Sequence, residues 1–287
     1  MVESKFDLTR LDTTALLAEV KQLQSNRAYR DHHNLFFVEG IRNFLRLAEA
    51  NFNDLAASKK TAKFEIAAII YSDRLLTMTP ARQLVRRLRR NGTHTIKLTP
   101  EKFRAISHTA KASGIATIVR QNWTKLHQIA PHKTLCWIAL ERVRSPGNLG
   151  TLIRSSEAIG GSGFIFLGNS IDPFASEVIR ASMGALFNQQ YIRTSYKSLA
   201  HWLRRHQCRV VGASVAGKVD FHHFCYPKSP ILFLGEERKG LSSQQQDFCQ
   251  HLIRIPMVGQ ADSLNLAVAG SLLLYEVYRT RYTTNQK

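Results

Sequence analysis

The stretch Met257–Arg279, MVGQADSLNLAVAGSLLLYEVYR, changes from a polar loop to a strongly apolar helix within a few residues. The junction between the loop and the helix is Ser263-Leu264-Asn265. Ser263 is a suitable N-cap, which leaves Asn265 just past the cap with a side chain that can face another part of the chain. Since loops at the ends of parallel strands hold ligands, the stretch predicts a binding loop anchored by a buried helix.

A second stretch whose residues could take part in binding or catalysis is ERVRSPGNLGTLIRSSEAIG, residues 141–160, which follows a predicted apolar strand. The Pro146-Gly147-Asn148 turn predicts a helix beginning near residue 149, with Asn148 either as its N-cap or as a ligand-binding group. Arg154 lies further along that helix, where it could act over the helix start or simply pair with Glu157.

A third stretch, ILFLGEERKGLS, residues 231–242, runs from an apolar strand into a turn and then to a helix cap at Ser242. Gly235 allows close approach to the backbone, and Glu236 and Glu237 follow it directly. The alternative interpretation is an ordinary connection between a strand and a helix with solvated charges.

The order of apolar segments predicts an α/β protein. From residue 135 onward, short and nearly continuous apolar runs alternate with helical patterns, as in a parallel sheet covered on both faces. A smaller α/β unit that begins with a helix occupies residues 1–122, and a polar, proline-containing linker occupies residues 123–134. We therefore expect two domains, with residues 135–287 forming the second.

The charge of the chain indicates a polyanionic partner. Its 287 residues include 40 Lys and Arg against 21 Asp and Glu, a formal net charge of +19. Five arginines crowd one predicted helix, and their mutual repulsion would be relieved by phosphate contact. They are Arg82, Arg86, Arg87, Arg89 and Arg90. A helix that is merely solvated is the alternative.

Several site classes find no support in the sequence. It contains neither a G-x-G-x-x-G nucleotide fingerprint nor a phosphate-binding G-x-x-x-x-G-K-[ST] loop, and its cysteines and histidines lack zinc spacing. The adjacent His222 and His223 are interpreted as part of a loop, so we expect no metal. Four scattered cysteines indicate reduced thiols, and no apolar run reaches membrane-spanning length. A cytoplasmic protein with no membrane partner is expected.

Taken together and in order, three motifs resemble the SpoU (TrmH-like) family of RNA ribose 2′-O-methyltransferases in the SPOUT superfamily. They are PGNLGTLIRSSEAIG, LGEERKGLS and IPMVGQADSLNLAVAGSLLLYE, which lie within residues 141–276. DPFASEVIRASMGALF resembles the segment between them, and NLFFVEGIRNFL and HTAKASGIATIV more loosely resemble the substrate-binding domain of many members.

The resemblance implies a fold, a cofactor and a set of site residues. The fold would be a parallel α/β sheet with a deep trefoil knot, and the enzyme would be a homodimer with active sites near the interface. S-adenosylmethionine would be bound by Gly235, Ile255 and Leu264. The catalytic surroundings would be Asn148, Arg154, Glu237, Ser263 and Asn265.

The resemblance also leaves questions about role and substrate. Arg154 could accept the ribose proton or, since arginine stays charged, stabilise the developing alkoxide and bind phosphate. Glu236 and Arg238 occupy positions where the family has a small residue and a glycine, so Glu236 could compete with Glu237. The added N-terminal domain favours ribosomal RNA over tRNA. The rival hypotheses are a non-catalytic RNA-binding or ribosome-assembly protein and a DNA-binding protein.

Overall fold

The computed structural model describes residues 12–56, 63–129 and 135–283. Their contacts form two compact units, one of residues 1–122 with 174–187 and the other of residues 123–173 with 188–287. The predicted domain boundaries stay a prediction. Residues 130–134 of the predicted linker, and 1–11 and 284–287 at the ends of the two predicted domains, lie outside the described residues.

Helices and strands alternate along most of the described chain. In chain order they are α1 (Thr13–Ser25), α2 (Arg27–His33), β1 (Leu35–Glu39), α3 (Ile41–Ala56), β2 (Ile66–Tyr71), α4 (Thr79–Arg90), β3 (Thr95–Lys97), α5 (Pro100–Arg104), β4 (Ile115–Arg120), β5 (Trp137–Leu140), α6 (Pro146–Ala158), β6 (Gly163–Leu167), α7 (Ser176–Ser182), β7 (Gln190–Thr194), α8 (Tyr196–His206), β8 (Val210–Ala213), β9 (Val219–Asp220), β10 (Ile231–Phe233), α9 (Ser243–Phe248), β11 (His251–Arg254) and α10 (Leu266–Thr283).

The first unit is built on a four-stranded sheet in the order β1-β4-β2-β3. β4 is antiparallel to both of its neighbours, whereas β2 and β3 are parallel. α1 and α2 are separate helices, because the Asn26 side chain accepts a hydrogen bond from the N–H of Tyr29 and caps α2. α4 begins at Thr79, and Met78 holds its cap position without a side-chain hydrogen bond.

The second unit is built on a seven-stranded sheet in the order β7-β6-β5-β10-β8-β11-β9. Every pair of neighbouring strands is parallel. The expected α/β class with a parallel sheet is therefore confirmed, while the trefoil knot stays a prediction. β7 and β9 were not predicted, because β7 carries Gln190, Arg193 and Thr194 among its apolar residues and β9 has only two residues.

α10 packs along α6 in the second unit. A Cβ on Gly270 of α10 would collide with the side chains of Leu152 and Leu234, so glycine permits the close approach of the helices. The Ser271 hydroxyl donates to that of Ser155 at 2.7 Å. None of the helices in the described part of the chain has the length and apolarity needed to cross a membrane.

The sheet positions the three motif stretches together. β5, β10 and β11 are parallel members of one sheet, so their carboxyl ends open onto the same edge. Residues 141–160 follow β5, residues 234–242 follow β10, and residues 255–265 follow β11. This edge is where open parallel sheets place their ligands.

Candidate active site

The helix of the first motif, α6, begins at Pro146, earlier than the sequence predicted. Ser145 is the N-cap of α6, since its hydroxyl accepts a hydrogen bond from the N–H of Asn148 at 3.4 Å. The predicted helix start near residue 149, with Asn148 as a possible cap, is therefore wrong. Proline at the first helical position is favourable because it has no N–H to satisfy. Because Ser145 serves as the cap, the Asn148 side chain is available for other partners.

Asn148 joins the three motifs through its side-chain amide. Its Nδ2 donates to Oε1 of Glu237 at 2.9 Å, and its Oδ1 accepts from Nδ2 of Asn265, also at 2.9 Å. The bonded residues are 89 and 117 positions apart in the chain. One amide therefore fixes the relative positions of loops that follow three different strands.

Asn265 caps the final helix as well as binding Asn148. Its Oδ1 accepts hydrogen bonds from the N–H groups of Ala267 and Val268 at 2.8 and 3.4 Å. The expectation that Ser263 is the cap and that Asn265 lies beyond it is therefore wrong. The cap uses the oxygen of the Asn265 amide, and its nitrogen donates to Asn148, so one side chain caps the helix and joins the motifs.

Glu237 is held as a carboxylate by the first motif. Its oxygens accept hydrogen bonds from the backbone N–H of Arg144 at 2.8 Å and of Ser145 at 3.3 Å, in addition to the Asn148 amide. Partial burial raises the pKa of Glu237, but these donors outweigh burial and the net pKa lies below its usual range. A carboxylate of low pKa is a weak base, so this arrangement favours a positioning role.

Glu236 does not compete with Glu237 for these partners. Its carboxylate pairs with Nε of Arg144 at 3.1 Å, while Glu237 takes the backbone N–H of the same residue. Both acids of the second motif therefore bind the loop of the first motif, through different atoms.

The second motif keeps a tight turn despite its unusual residues. The Glu236 carbonyl accepts a hydrogen bond from the Gly240 N–H at 2.8 Å, and Arg238 has a φ of 75°, in the left-handed region. A Cβ on Gly235 would overlap the backbone of Gly240 and Leu241. The glycine at 235 is thus required by the chain's own backbone, whereas the sequence suggested only close approach of a ligand.

A cavity of about 290 Å³ opens beside this network. It contains all three residues expected to bind the cofactor, Gly235, Ile255 and Leu264, together with Glu237 and Ser263. Its wall also includes Ala213, the last residue of β8, and residues 214–216 after it, which were missed by the motif analysis. They join the cavity because β8 is a parallel neighbour of both β10 and β11 in the sheet.

Comparison with known proteins identifies the family of the region that contains the three motifs. The profile of the SpoU rRNA Methylase family matches residues 136–275, which contain all three motifs. Residues 136–275 belong to the SpoU rRNA methylase family. A 23S rRNA (uridine(2479)-2'-O)-methyltransferase from Streptomyces viridochromogenes is 27% identical over 266 residues, which cover 90% of this chain and 88% of that protein.

Two solved structures resemble the chain over nearly its whole length. The AdoMet-bound rRNA methyltransferase from Sinorhizobium meliloti has a TM-score of 0.81 and 29% identity, covering 93% of this chain and 95% of the other. The SpoU methyltransferase AviRb from Streptomyces viridochromogenes, also in complex with AdoMet, has a TM-score of 0.82 and 26% identity, covering 93% and 98%. The family and the methyltransferase class expected from the sequence are confirmed.

Arg154 is separated from the other expected catalytic residues of this SpoU domain. It is exposed on α6 and is not among the described residues that line the cavity. Glu157, its alternative partner, accepts a hydrogen bond from the Asn188 amide at 2.9 Å, and the ion pairs of the described residues do not include Arg154. The structure therefore gathers four of the five expected catalytic residues at one edge of the sheet and leaves Arg154 on an open face of α6.

The arginines of α4, outside the SpoU domain, differ from one another in their surroundings. Arg82 donates to the backbone carbonyls of Leu76 and Asp73, and the Arg87 guanidinium lies 4.3 Å from the centre of the Phe52 ring. The remaining three are exposed on the same helix, whose opposite face is buried through Ala81 and Val85. They are Arg86, Arg89 and Arg90.

Proposed function

We propose that this chain is an S-adenosylmethionine-dependent methyltransferase that modifies a ribose 2′-hydroxyl in structured RNA, with ribosomal RNA favoured over tRNA. The observation that carries the proposal is the hydrogen-bonded chain Glu237–Asn148–Asn265 beside the cavity. It assembles the three family motifs at the edge of the sheet where a ligand is expected. The relative from Streptomyces viridochromogenes that covers most of the chain is itself named as a ribose 2′-O-methyltransferase.

The cavity suits the proposed cofactor. Its wall combines apolar side chains, such as those of Leu234, Ile255 and Leu264, with backbone groups of the turn at Gly235 and Gly240. Pockets of roughly 300 Å³ or more with a few polar groups are typical of small-ligand sites. S-adenosylmethionine would supply an electrophilic methyl group, and both solved relatives described above bind AdoMet.

The protein's own residues would orient the ribose and stabilise charge. Because the pKa of Glu237 is lowered, this carboxylate is poorly suited to accept the ribose proton. We assign it, with Asn148 and Asn265, to holding the loops that surround the reacting hydroxyl. Ser263, exposed at the cavity, can donate to or accept from the ribose. Arg154, as a guanidinium, would bind the phosphate and stabilise the developing alkoxide, while the ribose proton passes to water.

A homodimer explains where Arg154 could act. α10 and the loop before it carry a stripe of exposed apolar residues at helical spacing, beginning beside the cavity. Its members are Leu264, Val268, Leu272, Tyr275 and Tyr282. Exposed apolar patches of this kind commonly mark an interface, and we propose that a second copy covers the stripe. Since α6 packs against α10, its open face would approach the second copy, and Arg154 would serve the partner's cavity.

The substrate would be held by the arginine helix α4 in the first unit. Arg86, Arg89 and Arg90 present their charge to solvent, as expected for contacts to RNA phosphates. RNA is usually recognised by its shape and its loops, which fits a separate domain in addition to the SpoU domain. Such an enzyme would work in the cytoplasm.

Two measurements test the proposal. Ribose methylation mapped across RNA from a strain lacking the gene should show the loss of one or a few 2′-O-methyl groups, restored by the wild-type gene. Calorimetry with the purified chain should show binding of S-adenosylmethionine. If the chain binds RNA but not the cofactor, and the methylation map is unchanged, the non-catalytic RNA-binding hypothesis replaces the enzyme.

A further inference from the structure

A group of possible metal ligands lies at the edge of the second unit, outside the cavity described above. The carboxylate of Asp220 and the imidazoles of His222 and His223 each place one ligand atom within 4.8 Å of the others. The two imidazole rings are themselves 3.9 Å apart, centre to centre. Both histidines are exposed and Asp220 is half-buried, so an ion from solution could reach all three.

The backbone holds these residues in a defined arrangement. β9, which ends at Asp220, pairs with β11, and the N–H of Phe221 donates to the Arg254 carbonyl at 2.9 Å. The His223 N–H then donates to the Asp220 carbonyl at 3.0 Å, which closes a turn. The turn brings both histidines back towards the carboxylate, so little ordering is needed before an ion binds.

We propose that Asp220, His222 and His223 form a binding site for a divalent transition-metal ion of the zinc class. Two imidazole nitrogens and one carboxylate oxygen are ligands that Zn²⁺ prefers, and its remaining tetrahedral position would hold water. Mg²⁺ and Ca²⁺ prefer sites built from oxygen ligands and would bind poorly.

Arg254 provides the supporting contact that such sites commonly have. Its Nε donates to Oδ1 of Asp220 at 2.6 Å, which orients the carboxylate, and the second carboxylate oxygen would bind the ion. Hydrogen bonds from surrounding groups to ligand carboxylates are a regular feature of metal sites. The sequence indicated no metal here because adjacent histidines lack zinc spacing; the carboxylate joins them only through the turn.

The site would fix a loop beside the apolar stripe of α10. Phe221, between two of the proposed ligands, lines a surface groove with Leu272, Tyr275 and Tyr278. A bound ion would therefore order the loop that borders the face proposed to meet a second copy. The metal site itself does not depend on the dimer or on methyl transfer, so its test is independent of both.

The test is a calorimetric titration of ZnCl₂ into the full chain, prepared without a histidine tag and stripped of metal with a chelator. We expect one Zn²⁺ per chain from this site. His222→Ala and His223→Ala should each weaken binding by about tenfold or more, since losing even a group that only supports a ligand has an effect of that size. MgCl₂ at the same concentration should give no comparable signal.

Matched controls separate the site from general histidine binding. His32 and His33 are also adjacent, with ring centres 4.7 Å apart, but they belong to no such group among the described residues. Their double alanine variant should titrate like the wild type. Cys225→Ser should also leave affinity unchanged, because the exposed thiol lies outside the three-ligand group.

The spectrum of bound Co²⁺ provides a second readout. In the wild type, Co²⁺ should develop the intense visible bands of a four-coordinate ion, and His222→Gln should abolish them. Melting temperatures of the metal-free variants should match the wild type, since both histidines are exposed. Equal zinc affinity in the wild type and in the His222→Ala/His223→Ala variant, or no binding by the wild type, would overturn the proposal.

Discussion

The polar side chains of the loops at the cavity and those of the arginine helix α4 differ in what they contact. At the cavity, the Asn148 side chain binds those of Glu237 and Asn265, and these two also accept hydrogen bonds from backbone N–H groups. On α4, Arg86, Arg89 and Arg90 extend into solvent. The difference shows that a cavity can be organised before its ligand arrives, whereas a charged surface acquires its contacts only when the polyanion binds.

This comparison predicts different responses to substitution. A residue of the interconnected cavity should affect stability and catalysis together, and a single change should suffice. The arginines should contribute separately and additively, and their effect should depend on salt. Arg154 could belong to either class, because it is expected to be catalytic yet is exposed like the arginines of α4.

The largest effect is expected for Arg154→Ala. Removing one group that stabilises developing charge typically lowers kcat by 10²- to 10³-fold, so we expect a loss of about that size. S-adenosylmethionine affinity should remain close to that of the wild type, because Arg154 does not line the cavity. Single-turnover methylation and calorimetry measure the two quantities. A loss of only twofold would place Arg154 with the surface arginines.

Mixed dimers show which cavity Arg154 serves. Leu264→Trp should block the cavity that Leu264 lines. A dimer made only of Leu264→Trp chains, or only of Arg154→Ala chains, should therefore be inactive. Mixing the two variants should restore activity if Arg154 reaches the partner's cavity, since one site then combines an open cavity with an intact arginine. No recovery in verified mixed dimers would show that each Arg154 serves its own chain.

The next effect concerns the salt dependence of RNA binding. The triple variant Arg86→Gln/Arg89→Gln/Arg90→Gln should reduce the slope of log K against log salt by about 2 to 3, because each phosphate contact contributes roughly one unit. Arg82→Gln is the matched control, since Arg82 is engaged by backbone carbonyls and should change the slope little. Filter binding across a salt series measures both. Equal slopes in all proteins would exclude α4 as the RNA contact.

Glu237→Gln should lower stability at neutral pH but not in acid. The folded-state pKa of Glu237 is lowered, so its contribution is fully present above the ordinary carboxyl pKa of 4.5 and is lost as pH falls through the folded value. We expect the variant to unfold more readily at pH 7, by about 1–2 kcal/mol for weakened hydrogen bonds to a charged group. The difference should shrink below pH 4.5. A difference that does not change with pH would show that packing, rather than charge, explains the loss.

Asn265 allows its two roles to be separated. Asn265→Ala removes both the helix cap and the bond to Asn148, and should cost about 1 kcal/mol of stability and reduce methyl transfer. Asn265→Asp keeps the cap but cannot donate to Asn148, so stability should largely recover while methyl transfer stays low. Chemical denaturation and initial rates measure the two effects. Recovery of both would assign Asn265 to capping alone.

Much of this site could be predicted from the sequence, because the motifs are local and their order is specific. Gly235, Ile255 and Leu264, which the family resemblance grouped as cofactor-binding residues, lie at one cavity. The assignment of caps was wrong at both Asn148 and Ser263, because several residues at each helix start can cap and the choice depends on tertiary partners. Spacing along the chain does not report those partners.

The parts that sequence reasoning missed depend on contacts between distant segments. The wall after β8 belongs to the cavity only because β8 lies between β10 and β11 in the sheet. Likewise, Asp220 approaches the two following histidines only because a turn is fixed against β11. Strand order and turn closure are set by the whole sheet, so no pattern of neighbouring residues reveals them.

The smallest effect is expected for Arg238→Gly. Arg238 has a φ of 75°, which costs a non-glycine residue about 1 kcal/mol, so glycine should stabilise the chain by up to that amount. Arg238→Ala is the control, because it keeps the unfavourable φ and should give no gain. If the side chain also contacts phosphate, both variants should weaken RNA binding equally, whereas stability should rise only in the glycine variant. Equal stability of the two variants would mean that this turn tolerates a side chain without strain.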